Sequence, residues 1–311
     1  MSPRITGASG WGQVISQAGA PIAFPPAPFQ ATLATAFSLR GRGLHTGRFC
    51  TARVSPAAAG SGIVFHRTLR DRIAIVPALW HLQETQTLCT ALRGPDGTLI
   101  RTVEHLLASL SALGIDNARV DLDAEELPIF DGSALSWCAA IAAAGRHPLG
   151  EPRRTIRVRR AVSVQDGRRS LRVEPADHLT IAAELALAQF GRMTWEGAIT
   201  PDSFVAALAP SRSFGRLKWA LPLKLYSYVT GKPVLRGATL RSTAVIVGGR
   251  IIGGMRVPDE PVRHRILDLV GDLSLAGYPI RGRFTAMHTG HTLNHALVAA
   301  LMRDASAWDL M

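Results

Sequence analysis

Leu149-Gly150-Glu151-Pro152-Arg153-Arg154 is charged and carries a glycine and a proline, the composition of a linker between folded segments. On its N-terminal side short β-like runs come first: Thr32 to Leu39, Arg48 to Val54, Gly62 to His66 and Arg72 to Val76, parted by glycine-rich turns such as Arg40-Gly41-Arg42-Gly43. Two amphipathic helices follow, at about Val103 to Leu113 and about Ala134 to Ala144, with a strand at Ala118 to Leu122 between them. Ser133 caps the second helix and Gly145 stops it. On the C-terminal side the order recurs. Strands are expected at Thr155 to Val164, Leu171 to Val173 and Leu179 to Leu185, then a helix opened by Thr200 and Pro201 and running to about Leu208, then helices near Pro261 to Ala276 and Leu293 to Met302.

Strands followed by helices, twice, predict an α+β protein of two sandwiches of similar plan more than a doubly wound parallel sheet. The fold expected is two similar two-layer α/β sandwich domains packed through their helices, each with a small insert. The expected organisation is a flexible leader over 1–31, an N-terminal α+β domain over 32–150 and a C-terminal α+β domain over 151–311. Arg216 to Arg236 interrupts the second module. It is apolar, dotted with lysine and poor in helical period, and reads either as core or as the lining for a greasy ligand.

At 311 residues, 47% hydrophobic and 19% charged, the chain has the composition of a folded globular protein with a sizeable core. Three scattered cysteines, with no C-x-x-C pair, exclude a disulfide framework and a thiolate zinc site, so a bound metal needs histidine and carboxylate ligands. The formal charge of +12 admits nucleic acid, an anionic membrane face or a phosphorylated substrate. Without an RNP1-like aromatic motif, zinc-finger spacing or a Lys/Arg tract, no nucleic-acid partner is expected. No signal-like run and no long apolar stretch is present, so a cytoplasmic location is expected.

Three segments carry chemistry. In Pro261-Val262-Arg263-His264-Arg265-Ile266-Leu267-Asp268-Leu269-Val270-Gly271-Asp272-Leu273, a helix places His264, Asp268 and Asp272 on one face and Ile266, Leu267, Val270 and Leu273 on the other. Such a stripe is either a solvated, salt-bridged face or part of a site. In Arg101-Thr102-Val103-Glu104-His105, Thr102 is an N-cap candidate, and Glu104 suits the helix dipole as well as it suits catalysis. In Met287-His288-Thr289-Gly290-His291-Thr292-Leu293-Asn294-His295, His291 and His295 are spaced as a metal pair or as capping and surface histidines.

Together with Gly41-Arg42-Gly43-Leu44-His45-Thr46-Gly47, Gly114-Ile115-Asp116-Asn117, Pro128-Ile129-Phe130-Asp131-Gly132-Ser133 and Ser213-Phe214-Gly215, these segments in this order resemble one family. It is the metal-dependent deacetylases that act on UDP-3-O-acyl-N-acetylglucosamine in lipid A synthesis, and the likeness runs from about Thr32 to Trp308. The resemblance implies hydrolysis of the substrate's acetamide to a free amine and acetate. It implies one zinc ion, with iron(II) as an alternative, on His105, His264 and Asp268, leaving the fourth tetrahedral position to water. It further implies Glu104 as base, His291 as acid, Asp272 as the group orienting His291, and Phe214 and Gly215 at the substrate. Ser213 stands where the family has threonine and keeps the hydroxyl for the oxyanion, and Arg265 stands where lysine is frequent. Arg216 to Arg236 would form the acyl passage. A monomer with transient contacts at the inner membrane surface is the expected state.

Overall fold

The computed structural model describes residues 28–311; most of the expected leader lies outside the described residues. The fold is α+β, with its strands gathered by halves of the chain. In the first half one sheet has the spatial order Phe37–Arg42, Phe49–Pro56, Ala118–Leu122, Ile63–Thr68, Ile73–Pro77. Alternation along Phe49–Pro56 turns Cys50, Ala52 and Val54 inward. There they share a core with Leu106 and Leu110 of helix α1 (Glu104–Ala112) and Trp137 and Ile141 of helix α2 (Leu135–Ala144). At the start of α2 the N-cap is Ala134 with no side-chain cap, so Ser133 is not the cap expected of it: one residue earlier, its Oγ accepts the Leu135 N–H at 3.3 Å; Gly145, at φ 74°, closes the helix as expected.

In the second half a larger sheet is centred on Ile280–Met287, whose residues are alternately buried and exposed throughout. This strand pairs antiparallel with Arg169–Glu174 and, on its other edge, parallel with Leu179–Leu187. Helix α3 (Leu217–Thr230) stands apart from this sheet beside a small one made of Phe214–Arg216, Ala244–Val247 and Arg250–Ile251. Helices α4 (Glu260–Leu273) and α5 (His291–Arg303) cover the larger sheet.

The halves meet where α1 packs on α4. At that crossing a Cβ on Gly271 would lie 2.2 Å from the carbonyl oxygen of Glu104, a separation no side chain can occupy. Glycine therefore sets the interhelical distance, and through it one continuous apolar core joins both halves.

Several expectations need correction. The linker-like stretch is largely the strand Arg146–Pro152, paired antiparallel with Phe29–Leu33, which itself begins inside the stretch assigned to the leader. Gly150, at φ 78°, and the terminal Pro152 give this strand the composition of a turn. Thr32 to Leu39 is two strands, Phe29–Leu33 and Phe37–Arg42, and Thr155 to Val164 divides into Ile156–Val158 and Val162–Asp166. Helix after Thr200 is a single capped turn, Pro201–Ser203, continued by a π-helical turn over Phe204–Leu208. The segment Arg216 to Arg236, poor in helical period, nevertheless contains a helix, α3, in which Ser227 is the one fully buried residue; only the C-terminal end of the segment, at Leu235, enters a small core. A narrow stripe, Ala220 and Leu223, packs on Leu44, Ile129 and Leu235, while apolar residues also fill the exposed side, so no polar contrast reveals the helical period.

Gly271→Ala is expected to cost about 1–3 kcal/mol of stability by forcing α1 and α4 apart. Denaturant unfolding of the variant measures this, and an unchanged midpoint would contradict the crossing described.

Candidate metal centre

Two chain segments enter the site from opposite halves. After the strand Leu99–Arg101 the backbone turns at Thr102, at φ 58°, and α1 starts at Glu104 with Val103 as its N-cap and no side-chain cap. Thr102 is thus not the cap. Its hydroxyl donates at 3.1 Å to buried Glu126, which also accepts the N–H groups of His45 and Thr46 at 2.7 Å and so holds the Gly43–Thr46 turn. Glu104 and His105 fall in the first turn of α1 and are buried against α4. Glu104 Oε2 accepts the backbone N–H of Thr90 at 3.0 Å. Burial pushes this carboxyl up to about 7.

From the other side α4 presents His264, Asp268 and Asp272 one turn apart, all buried. Asp268 Oδ1 lies 3.4 Å from His264 Nε2 and 3.6 Å from His105 Nε2. It has no hydrogen-bond partner among the described residues, and an orphaned buried carboxylate oxygen is costly unless something else satisfies it. The ligand atoms of His105, His264 and Asp268 lie within 4.8 Å of one another. His264 Nδ1 meets the Ser211 carbonyl at 3.1 Å; donation there fixes the tautomer and leaves Nε2 as a lone-pair donor toward Asp268. Burial lowers the His264 pKa to about 4, keeping the ring neutral as ligation requires. For His105 burial opposes protonation, but Asp268 and Glu104 outweigh it and raise its pKa, so with no cation present the carboxylates draw a proton onto this ring. Two imidazole nitrogens and one carboxylate oxygen, buried and converging, fit a divalent transition metal.

A second group, Asp272, His291 and His295, is equally close-set but differently satisfied. Asp272 Oδ1 accepts from the Thr90 hydroxyl and lies 3.2 Å from His295 Nε2; Oδ2 accepts from Asn294 Nδ2 at 2.8 Å and lies 3.0 Å from His291 Nδ1. With its acceptor positions filled by protein groups, Asp272 organises hydrogen bonds, and the His291/His295 pair belongs to that network. Burial works against charge on both partners, yet Asp272 and Asp268 hold His291 protonated, up to about 10, while His295 and His291 hold Asp272 well below the usual carboxylate range. His291 Nε2 is then free to face Asp268 Oδ2, 3.8 Å away.

The first group, and His291 of the second, border a cavity of about 980 Å³. Glu104, His105, His264, Asp268 and His291 form its floor, Ser213, Phe214, Gly215 and Arg265 line it as well, and Asp272 stands behind His291. Ser213 is pinned by its N–H to the Gly132 carbonyl at 2.7 Å, and Gly132 in turn needs to be glycine because a Cβ would meet the Ser242 carbonyl oxygen at 2.2 Å. Phe214 sets its ring edge-on to His264, with centroids 6.1 Å apart, and carries the Arg265 guanidinium at 5.1 Å. From this floor the cavity runs along Leu217, Leu221, Leu235 and Leu240 toward α3.

A family model described as UDP-3-O-acyl N-acetylglycosamine deacetylase matches residues 30–303. The chain belongs to this deacetylase family. Among curated relatives, the UDP-3-O-acyl-N-acetylglucosamine deacetylase of Myxococcus xanthus is 39% identical over 91% of this chain and 89% of its own length. Those of Geobacter sp. strain M21 and Shewanella violacea are 37% and 34% identical, each over 91% of this chain and 92% of their own.

In this member of the deacetylase family, Glu104, His105, Ser213, Phe214, Gly215, His264, Arg265, Asp268 and His291 line one cavity, with Asp272 in direct contact behind it and His295 on Asp272 outside the lining. Sequence reading missed Thr90 altogether and gave Asn294 no role. Thr90 is buried on the strand Cys89–Arg93, far from Asp272 in sequence, and it ties Glu104 to Asp272 through its N–H and hydroxyl. No local pattern marks such a threonine; only the β-pairing that places it does.

His264→Ala and Asp268→Ala are expected to lower divalent-metal affinity beyond the roughly 10- to 100-fold that a change behind the ligands costs, whereas Asp272→Asn retains the ion. Equilibrium dialysis against zinc measures both. Loss of the ion in Asp272→Asn with retention in Asp268→Ala would reverse the assignment.

Proposed function

We propose that this chain is a metal-dependent amidohydrolase that removes the acetyl group of UDP-3-O-acyl-N-acetylglucosamine in the cytoplasm, an early committed step of lipid A synthesis, with zinc or iron(II) on His105, His264 and Asp268. The observation that carries this reading is the orphaned Asp268 oxygen between two imidazole nitrogens, with the raised carboxyl of Glu104 next to it. The relatives, which are UDP-3-O-acyl-N-acetylglucosamine deacetylases, suggest the substrate. Burial of Cys50, Cys89 and Cys138 as free thiols suits a reducing compartment, and no helix among the described residues is long and apolar enough to cross a membrane.

A divalent ion held there supplies Lewis acidity to the acetamide carbonyl and to water. Glu104 takes the proton of the attacking water: the Thr90 N–H fixes Oε2, and Oε1 has no hydrogen bond to the described residues and is available as the basic atom. The Ser213 hydroxyl and Arg265 place donors where negative charge develops on the former carbonyl oxygen. His291 Nε2 gives its proton to the departing amine, and Asp272, bonded at Nδ1, orients the ring and stabilises its charged form. The water oxygen bonds to the acetamide carbonyl carbon and the C–N bond breaks; with one proton taken by Glu104 and one given by His291 the products are the free amine and acetic acid, which then releases its own proton to become acetate.

Chelation is expected to abolish deacetylation and metal add-back to restore it. Glu104→Gln is expected to lower kcat by about 10²–10⁴-fold with the metal retained. Full turnover in that variant would remove Glu104 as base.

The signs of the two shifts set the pH profile. Glu104 is a base only once deprotonated, so kcat/KM rises with pH up to about 7; His291 is an acid only while protonated, so it falls toward about 10. A cation in the site moves both limbs lower, never higher. A rate profile for wild type and Glu104→Gln checks this, the acid limb disappearing in the variant.

A further inference from the structure

Helix α3 inverts the usual surface pattern. Its buried stripe is small, Ala220, Leu223 and Ser227, and the rest of its circumference carries Trp219, Leu221, Leu225, Tyr226, Tyr228 and Val229 in solvent. Trp219 is 63% exposed, Leu225 67% and Val229 78%, so these are open side chains and not the edges of a core. An apolar, aromatic face of this extent on one helix marks an interaction surface.

Charge identifies what the face meets. From Ser203 to Pro258 the sequence has nine Lys or Arg and no Asp or Glu, so this stretch alone carries +9 of the chain's +12. Among the described residues, only Arg212 and Arg256 of the nine pair with carboxylates, Glu260 and Asp131. Lys218 and Lys232 stand exposed toward the two ends of α3, and Arg241 is exposed beside Leu240 at the cavity. Tryptophan and tyrosine with apolar residues, flanked by lysine and arginine and free of acids, are the composition of a helix that lies in the headgroup region of an anionic bilayer. A protein partner with an acidic rim would match the charge but not so large a fraction of open apolar surface around one helix.

We propose that α3 docks this protein on anionic lipid, seating the apolar side of the helix among the headgroups with Lys218, Lys232 and Arg241 on the lipid phosphates. The end of the cavity lined by Leu217, Leu221 and Leu240 then opens toward the bilayer. On the proposed function, this lets an acyl chain pass between lipid and cavity without crossing water; the docking itself does not depend on that reading.

Flotation of the full chain with vesicles tests docking apart from activity. Wild type is expected to float with phosphatidylethanolamine–phosphatidylglycerol vesicles, to bind phosphatidylcholine vesicles weakly, and to be released by salt. Trp219→Ser combined with Leu225→Ser and Val229→Ser, and separately Lys218→Glu combined with Lys232→Glu and Arg241→Glu, should each reduce anionic-vesicle binding by about tenfold or more. Circular dichroism checks that each variant is folded, and the charge set leaves the apolar stripe intact should the serine set unfold. The proposal is overturned if wild type stays with the soluble fraction on both vesicle types, if it binds them equally, or if sedimentation shows a dimer that the serine set abolishes while vesicle binding is absent.

Discussion

The approach of α1 to α4 at Gly271 is the constraint on which the site depends. Because the glycine lets the Glu104 carbonyl come within what would be a Cβ's contact distance, the first turn of one helix lies against the polar stripe of the other. Glu104 and His105 come from a short helix whose start is set by the turn at Thr102, and His264, Asp268 and Asp272 from a helix anchored by Ile266, Leu267 and Val270. Neither half holds the set alone. A widening of the crossing by the size of a methyl group would separate His105 from Asp268 while leaving both sheets intact.

Bringing those side chains together buries three carboxylates and two imidazoles in one place, with the imidazoles of His291 and His295 from α5 alongside. The cluster is tolerable because its charges are divided into two systems. Asp272 is saturated by Thr90, Asn294 and the two histidines of α5, which fixes His291 as the charged partner. Asp268 is left with an unmet oxygen facing His105 and His264, a demand that a divalent cation meets and a proton meets only in part. Thr90 connects the systems, holding Glu104 with its N–H and Asp272 with its hydroxyl.

Much of this was legible in the sequence where periodicity and chemistry coincide. The 4-residue spacing of His264, Asp268 and Asp272 opposite an apolar face predicted one helix with one polar stripe, and α4 has it. The first-turn placement of Glu104 and His105 was also readable, although the cap at Thr102 was not, because Glu126, distant in sequence, takes its hydroxyl. Strands were harder. Arg146–Pro152 looks like a linker because Gly150 and Pro152 sit in it, and its partner Phe29–Leu33 lies at the other end of the half. Ile280–Met287 alternates cleanly in burial but spends its exposed positions on Arg281, Arg283, Thr285 and Met287 and its buried ones partly on Gly282 and Ala286, which weakens the apolar signal. Helix α3 was unreadable as a helix because its outward face is as apolar as its inward one.

The most direct test is diffraction from crystals of the zinc-loaded protein, recorded on both sides of the zinc absorption edge. One anomalous peak bounded by His105, His264 and Asp268, with Asp272 still hydrogen-bonded to His291, is the expected result. A peak bounded instead by Asp272, His291 and His295 would contradict the division of the buried charges into a ligand set and a hydrogen-bonded acid.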